Sequence, residues 1–295
     1  MKKYLIILSG SPRGSEYAWK SLIKYVKQPL NADLAVSYGD KYQLPKYLEA
    51  NADFNWVFNE PSNWRTYYES EFSDTWEDFL IKGKDLGMAG GIDNHSGSGA
   101  IVSALKDIIY KNYLSTLNEY DYIIHSRFDQ LYSDEHPAFE GDYIWIPTGE
   151  DYFGICDRHA VFPTKFSRQY FSICDYINNP KSIQKHPKHI SPESVFEENL
   201  IHNNLDHLIV RYPRSQFTVS HLGDSTRWRI ARYRLYFYKN LSIKYPDEFT
   251  QSIYNNLQNN SVYKVIQEEF FFFINYLNLT LRRRLGKYKK EIFKS

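Results

Sequence analysis

Cysteine and long apolar runs are scarce in this sequence. Its 295 residues include two cysteines, Cys156 and Cys174. They have no C-x-x-C spacing, so the sequence suggests neither a disulfide framework nor a zinc site. The first apolar run ends within about six residues, shorter than a signal-peptide core, and no run reaches the ~20 residues of a membrane span. We therefore expect a cytoplasmic protein.

A surplus of either charge is missing as well. The chain has 36 Lys and Arg against 35 Asp and Glu, so its formal net charge is +1. This balance argues against a nucleic-acid partner. Aromatic residues are abundant instead, with 26 Tyr, 19 Phe and 6 Trp. Such rings stack on sugar faces in carbohydrate grooves, although an AT-rich genome also enriches Tyr.

Apolar runs alternate with helical patterns, which indicates an α/β protein. Residues 3–9 predict a buried strand, residues 16–27 a helix and residues 34–38 a second strand. Strand, helix and strand at this spacing predict a parallel sheet. We expect a mixed, mostly parallel sheet flanked by helices in residues 1–235, and a helical C-terminal extension with a basic tail in residues 236–295.

The opening stretch "IILSGSPRGS" predicts a strand, a small-residue loop and a helix start. That geometry gathers backbone N–H groups around an anion. Three enzyme classes resemble it: flavin reductases of the flavodoxin type, sulfotransferases that use phosphoadenosine phosphosulfate (PAPS), and glycosyltransferases. We find no later flavin-binding loops. A PAPS site would need hydroxyls where Glu16 and Tyr17 stand, and a Ser eight residues after Arg127, whereas Ser133 lies six residues on.

Several motifs follow in order along the chain. They are Gly10 to Arg13, "ADLAVSYGD" (32–40), "YDYIIHSRFD" (120–129), "IWIPTGEDYFGICDRHAV" (144–161) and Pro192-Glu193. Over roughly residues 3–230 the sequence resembles a group of bacterial capsule and lipopolysaccharide glycosyltransferases of the GT-A type. The resemblance implies a GT-A-like, Rossmann-related fold. It also implies transfer of a sugar from a nucleotide-sugar donor to a hydroxyl of a surface polysaccharide or a lipid-linked glycan.

The resemblance assigns the donor to one set of residues, which are Ser9, Gly10, Ser11, Arg13, Asp40, Arg127, Asp129 and Arg227. Enzymes of this type hold Mn²⁺ or Mg²⁺ on the donor diphosphate with a D-x-D motif. Here the triplet is Arg127-Phe128-Asp129, so Arg has replaced one acid and metal dependence is left open. The expected metal ligands are Asp129 and His221.

Catalysis is assigned by the resemblance to Glu193 and Asp157, one of which would deprotonate the acceptor hydroxyl. A retaining mechanism would not need that base. Two alternatives stay open: a PAPS-dependent sulfotransferase, and a catalytically inactive sugar-binding member of the fold. The C-terminal "FFFFINYLNL" (270–279) precedes six basic residues at 282–290. Such a basic, aromatic helix predicts peripheral contact with the inner membrane, although a packing helix with a solvated tail fits equally well.

Overall fold

The computed structural model describes residues 2–73, 75–149, 151–186, 189–224, 234–236 and 239–267, and single or paired residues at 270, 273–274, 277–278, 280–281 and 284–285. The chain divides into two compact units. The first unit comprises residues 1–12, 30–128 and 138–212, and the second comprises residues 13–29, 129–137 and 213–295. The predicted domain boundary at 235/236 falls inside the second unit.

Eleven strands lie within the described residues. They are β1 (Tyr4–Ser9), β2 (Asp33–Gly39), β3 (Phe54–Phe58), β4 (Tyr122–Arg127), β5 (Gln130–Tyr132), β6 (Ile144–Pro147), β7 (His159–Pro163), β8 (Ile209–Tyr212), β9 (Gln216–His221), β10 (Arg234–Tyr236) and β11 (Leu241–Ile243).

The α-helices of the described part are α1 (Glu16–Leu22), α2 (Gln28–Leu30), α3 (Lys46–Asn51), α4 (Arg65–Glu71), α5 (Thr75–Lys82), α6 (Gly99–Leu117), α7 (Ser167–Phe171), α8 (Ile173–Ile177), α9 (Pro192–His202) and α10 (Pro246–Asn259). A π-helical turn (Ile23–Lys27) joins α1 to α2. Short 3₁₀ turns cover Lys84–Leu86, Thr164–Phe166, Ser182–Lys185 and Asp206–Leu208. The predicted helix at 16–27 is thereby confirmed and extended.

The first unit is built on a seven-stranded sheet with the order β3-β2-β1-β4-β7-β6-β8. Neighbouring strands from β3 to β4 are parallel, as are β6 and β8, whereas β7 runs antiparallel to both β4 and β6. The α/β class and the mixed, mostly parallel sheet are therefore confirmed. Strand β1 pairs in parallel with β2, as the apolar runs of the sequence predicted.

The core of the first unit lies on this sheet. Leu5 and Ile7 of β1 are fully buried with Ile123 of β4. Strands that are apolar at nearly every position are typical of a parallel sheet covered on both faces. The glycine-rich stretch at 83–99 is packed rather than extended into solvent. A Cβ atom on Gly90 would lie 2.1 Å from the carbonyl carbon of Gly97, so the two backbone segments touch.

The second unit contains a four-stranded sheet with the order β10-β11-β9-β5. Helix α1 packs on β5, and the Tyr132 N–H donates to Ser21 Oγ at 2.9 Å. Helix α10 is tied to this unit by the fully buried ion pair between Arg214 Nη1 and Glu248 Oε1, 3.1 Å apart. The C-terminal extension is thus not wholly helical, because the strands β10 and β11 precede α10.

Helical residues continue after α10 at 262–267 and at several described positions up to 285. Large apolar side chains on this segment are exposed, among them Tyr263, Phe270 and Leu281. None of the helices in the described part of the chain has the length and apolar character needed to cross a bilayer.

Candidate functional site

The strand order of the first unit branches at β1, with β2 and β3 on one side and β4 on the other. We call the side on which these strands end, at Ser9, Gly39 and Arg127, the carboxyl edge. In open α/β sheets, ligands bind outside the carboxyl ends of the strands at such a branch point. Ser9 and Arg127 are register partners across β1 and β4. Two motifs predicted to bind the donor therefore meet at this edge.

The antiparallel strand β7 brings a third motif to the same edge. Its first residue, His159, is the register partner of Ser126 near the end of β4. Asp157 and Arg158 directly precede His159 in the sequence. Because β7 runs antiparallel to β4, the amino end of β7 lies at the carboxyl end of β4. Both side chains are buried. The "DR" pair at 157–158 thus lies beside the end of β4.

Glu193 is joined to this group by an ion pair. Arg158 Nη1 donates to Glu193 Oε1 at 3.0 Å, inside the protein. Glu193 occupies the first turn of α9, whose start is well determined by sequence. The Ser191 hydroxyl accepts from the Ser194 N–H, the Ser194 hydroxyl accepts from the Ser191 N–H, and Pro192 takes the first helical position. These interactions fix the helix start, and with it the position of Glu193.

Gly154 belongs to the same motif as Asp157, and its backbone lies against that of α9. In the structure a Cβ atom there would lie 2.3 Å from the carbonyl oxygen of Glu193. The Ile155 N–H also donates to that oxygen, at 3.4 Å. The glycine therefore makes room for the backbone of α9.

The opening loop offers fewer free amides than predicted. Gly10 has φ +115°, a conformation that favours glycine, and its N–H donates to Ser37 O at 3.1 Å. The Asp40 carboxylate accepts from the Glu60 N–H at 3.0 Å and thereby joins the ends of β2 and β3. Ser11 is half-buried beside Gly10. The Ser9 hydroxyl and the Arg127 guanidinium are therefore the groups at this edge that suit a phosphate best.

A buried polar pair lies behind Ser9, and the sequence did not reveal it. His125 Nε2 is 2.9 Å from Ser9 Oγ, and His125 Nδ1 is 3.0 Å from the Tyr170 hydroxyl. Burial lowers the pKa of His125 well below its ordinary value, and the charge of Lys106 acts in the same direction. Burial also raises the pKa of Tyr170 well above its ordinary value. The one available signal was a histidine within the apolar run "YIIHSR" of β4.

Lys106 is a second buried group that the sequence analysis missed. Its Nζ lies 4.1 Å from the ring centroid of Phe196 and 5.3 Å from that of Tyr170. It has no hydrogen-bond partner within the described residues. Burial lowers the pKa of Lys106, and the carboxylates of Asp157 and Glu193 oppose that shift. A Lys-Asp pair interrupts the apolar positions of α6, and this interruption was the available signal.

The remaining predicted donor residues belong to the second unit or lie outside the described residues. Arg13 Nε is 3.4 Å from Asp129 Oδ2, and the Asp129 side chain is almost fully buried. The two residues, both predicted to contact the donor, therefore contact each other. His221 is exposed at the end of β9, and its backbone N–H donates to Asp224 Oδ2 at 2.9 Å. Arg227 lies outside the described residues.

The expected metal ligands, Asp129 and His221, both have partners among the described residues. No three His, Cys, Asp or Glu side chains among them converge on one point. Asp129 faces Arg13, and His221 Nδ1 already accepts from the Gly223 N–H at 3.1 Å. The assignment of Asp129 and His221 as metal ligands stays a prediction.

Comparison with known proteins adds no family to this description. No protein-family model matches the sequence, and a search of curated proteins gave no significant match. The motifs at the carboxyl edge and the mixed sheet are therefore the basis for assigning a function.

Proposed function

We propose that this chain is a glycosyltransferase with a GT-A-like fold. It would move a sugar from a nucleotide-sugar donor to a hydroxyl of a surface polysaccharide or a lipid-linked glycan. One observation carries the proposal: four motifs far apart in sequence supply Ser9, Arg127, the Asp157-Arg158 pair and Glu193 to one edge of one sheet. An enzyme that joins two substrates has to hold both in reacting geometry at one place.

The donor half of the site consists of Ser9 and Arg127. A guanidinium can bind a diphosphate through two parallel N–H bonds, and a serine hydroxyl can add a third. The branch point of an open α/β sheet is also where such sheets bind nucleotides. Asp40 follows β2 at the same edge and is exposed, so it can accept a hydrogen bond from a ribose or base. The diphosphate would leave with the electrons of the bond between C1 and its oxygen.

The acceptor half consists of Asp157 and Glu193. Glu193 Oε1 is engaged by Arg158, whereas Asp157 forms no hydrogen bond or ion pair within the described residues. We therefore assign the base to Asp157. Its carboxylate would take the proton of the acceptor hydroxyl while that oxygen bonds to C1 of the donor sugar. Glu193 would hold Arg158 and so fix the loop that carries Asp157.

The first test is ligand-induced stabilisation. The melting temperature would be measured with UDP, GDP, CMP, phosphoadenosine phosphate (PAP) and FMN, each with and without Mn²⁺, because a ligand that binds the native state raises it. We expect a nucleoside diphosphate to stabilise the wild type and Arg127→Ala to lose that shift. Lys46→Ala, an exposed change in the same unit, serves as the control. Stabilisation by PAP alone would favour the sulfotransferase, and a shift that requires Mn²⁺ would support Asp129 as a metal ligand.

The second test separates an enzyme from an inactive sugar-binding protein. Release of the nucleoside diphosphate from the corresponding nucleotide sugar would be followed for Asp157→Asn and Glu193→Gln. We expect Asp157→Asn to lower kcat about 100-fold or more, as removal of a general base does. Turnover that survives in Asp157→Asn but is lost in Glu193→Gln would move the base to Glu193. Binding without any turnover by the wild type would support the inactive protein.

A further inference from the structure

The hydrogen atoms of the His125–Tyr170 pair can be assigned from its partners. The Tyr170 hydroxyl is fully buried, and its partner within the described residues is His125 Nδ1, at 3.0 Å. A buried O–H without an acceptor is unfavourable, so the hydroxyl donates to Nδ1. That ring nitrogen then carries no hydrogen.

The second ring nitrogen follows from the first. Burial and the nearby charge of Lys106 keep His125 neutral, since both lower its pKa. A neutral imidazole has one N–H, and with Nδ1 acting as acceptor that hydrogen lies on Nε2. Nε2 therefore donates to Ser9 Oγ, 2.9 Å away. The serine oxygen accepts this bond, and its own hydrogen is left for another partner.

We propose that His125 is a positioning residue that makes Ser9 a hydrogen-bond donor to a phosphoryl oxygen at the carboxyl edge. Ser9 is half-buried, and no acceptor within the described residues takes its hydrogen. Its register partner Arg127 carries only donor groups as well, so a ligand atom that binds beside these two side chains has to supply lone pairs. A phosphoryl oxygen meets this condition, whereas an amine or amide N–H does not. The identity of the ligand as a nucleotide rests on the proposed function.

The tautomer can be measured without any ligand. Long-range ¹H–¹⁵N spectra of protein labelled at histidine distinguish the two neutral tautomers and the imidazolium, and comparison with His125→Gln assigns the signal. We expect the Nε2–H form between pH 6 and about 8, well above a pKa that burial has lowered. An Nδ1–H form, or an imidazolium in this range, would overturn the assignment of His125. Because no substrate is involved, this result does not depend on the proposed function.

Binding of UDP, uridine and inorganic phosphate tests the role of Ser9. We expect Ser9→Ala and His125→Phe each to weaken UDP and phosphate binding about tenfold, the cost of one lost hydrogen bond to a charged group. His125→Gln, whose amide can still donate to Ser9, should restore most of this binding. Ser70→Ala, an exposed serine of the same unit, is the control. Melting temperatures confirm that each variant is folded.

The outcomes separate the ligand sources and the two proposals. UDP and phosphate weakened together, with uridine unchanged, support a phosphoryl oxygen as the acceptor. Phosphate bound as tightly as UDP would point to free phosphate, and so against the proposed function but not against the role of Ser9. Equal binding by wild type and His125→Phe would overturn the positioning role. A wild type that binds neither probe would overturn the phosphoryl assignment, and the tautomer would still decide the hydrogen-bond pattern.

Discussion

Arg158 and Glu193 form an ion pair inside the first unit, with Arg158 Nη1 3.0 Å from Glu193 Oε1 and side chains 3% and 11% exposed. The pair joins the amino end of β7 to the first turn of α9. Both residues come from motifs that the sequence analysis singled out, but neither motif indicates that the two side chains meet. The contact makes them one structural element, and Asp157 is the carboxylate of this group that forms no hydrogen bond or ion pair within the described residues.

Breaking this pair should be far more damaging than removing it altogether. Arg158→Met leaves a buried carboxylate without its cation, and we expect the free energy of unfolding to fall by about 3–5 kcal/mol. The double variant Arg158→Met/Glu193→Leu should recover most of that loss, because both charges of the pair are removed together. Urea denaturation measures both.

The control is an exposed ion pair of the same unit. Lys165 and Asp142 are 2.6 Å apart with side chains 54% and 69% exposed. Lys165→Met should change the free energy of unfolding by less than about 1 kcal/mol. A similar loss for Lys165→Met and Arg158→Met would show that burial does not govern the strength of the pair.

Gly154→Ala tests the backbone contact behind the same loop. The added methyl group would overlap the Glu193 carbonyl oxygen, and since that atom belongs to the start of α9 it cannot rotate away. We expect a loss of about 1–3 kcal/mol, the usual cost of overpacking. At Gly223 the nearest atom is Nδ1 of the exposed His221 side chain, 3.2 Å away, so Gly223→Ala should cost little. Equal effects would argue against the close approach at Gly154.

The sheet could be predicted well from the sequence, and the division into units could not. Strand β1 and the start of β2 appeared as apolar runs because both are buried on two faces. The second unit is assembled from residues 13–29, 129–137 and 213–295. These three segments are separated in the sequence by segments that belong to the first unit. Strand pairing between distant segments, such as that of β5 with β9, produces no pattern in the local sequence. The sequence therefore could not predict it.

The site was predictable in part for a similar reason. Ser9, Arg127, Asp157 and Glu193 stood in recognisable motifs. Their shared edge depended on the register of β1, β4 and β7, which the motifs alone do not specify. Lys106 and His125 could not be assigned from sequence, because a single polar residue in an apolar pattern does not reveal its partner.

Lys106→Met should stabilise the protein at neutral pH. The buried amine has no hydrogen-bond partner within the described residues, and removing an unsatisfied polar group should raise the free energy of unfolding by about 1–3 kcal/mol. Burial lowers the pKa of Lys106 from the ordinary value of 10.5, so below that pH the unfolded chain binds more protons than the folded one. Wild-type stability therefore gains from rising pH, and the difference from the variant should shrink between pH 7 and about 10.

Lys111→Met, five residues along the same helix, should have the opposite effect. Lys111 Nζ is 2.8 Å from both Glu71 Oε2 and Asp107 Oδ2. Its removal leaves the buried Asp107 carboxylate without a cation, so the free energy of unfolding should fall by about 1–3 kcal/mol. Urea denaturation of both variants between pH 7 and about 10 measures these changes in the free energy of unfolding. A destabilised Lys106→Met would mean that the contact with the Phe196 ring outweighs desolvation.

Large apolar side chains are exposed on the segment that follows α10. The exposed residues are Tyr263, Phe270, Ile274, Leu277, Leu281 and Leu285. Their sequence spacings of seven, four, three, four and four residues match the pattern of one face of a helix. The sequence that follows is strongly basic. An apolar stripe beside basic residues suits an anionic lipid surface, where each Lys or Arg contributes about 1 kcal/mol.

We therefore expect the protein to sediment with vesicles that contain anionic phospholipid and to stay in solution with neutral phosphatidylcholine. Leu277→Asp/Leu281→Asp should abolish sedimentation without changing the melting temperature, because both side chains are exposed. Tyr254→Asp, an exposed aromatic position on α10, is the control and should still bind. Salt should weaken binding, since charges at a surface are screened within about 10 Å at 0.1 M. Binding that depends on neither lipid charge nor salt concentration would argue against a basic membrane anchor. A concentration-dependent dimer that is lost in the double variant would instead assign the stripe to contact with a second copy of the chain.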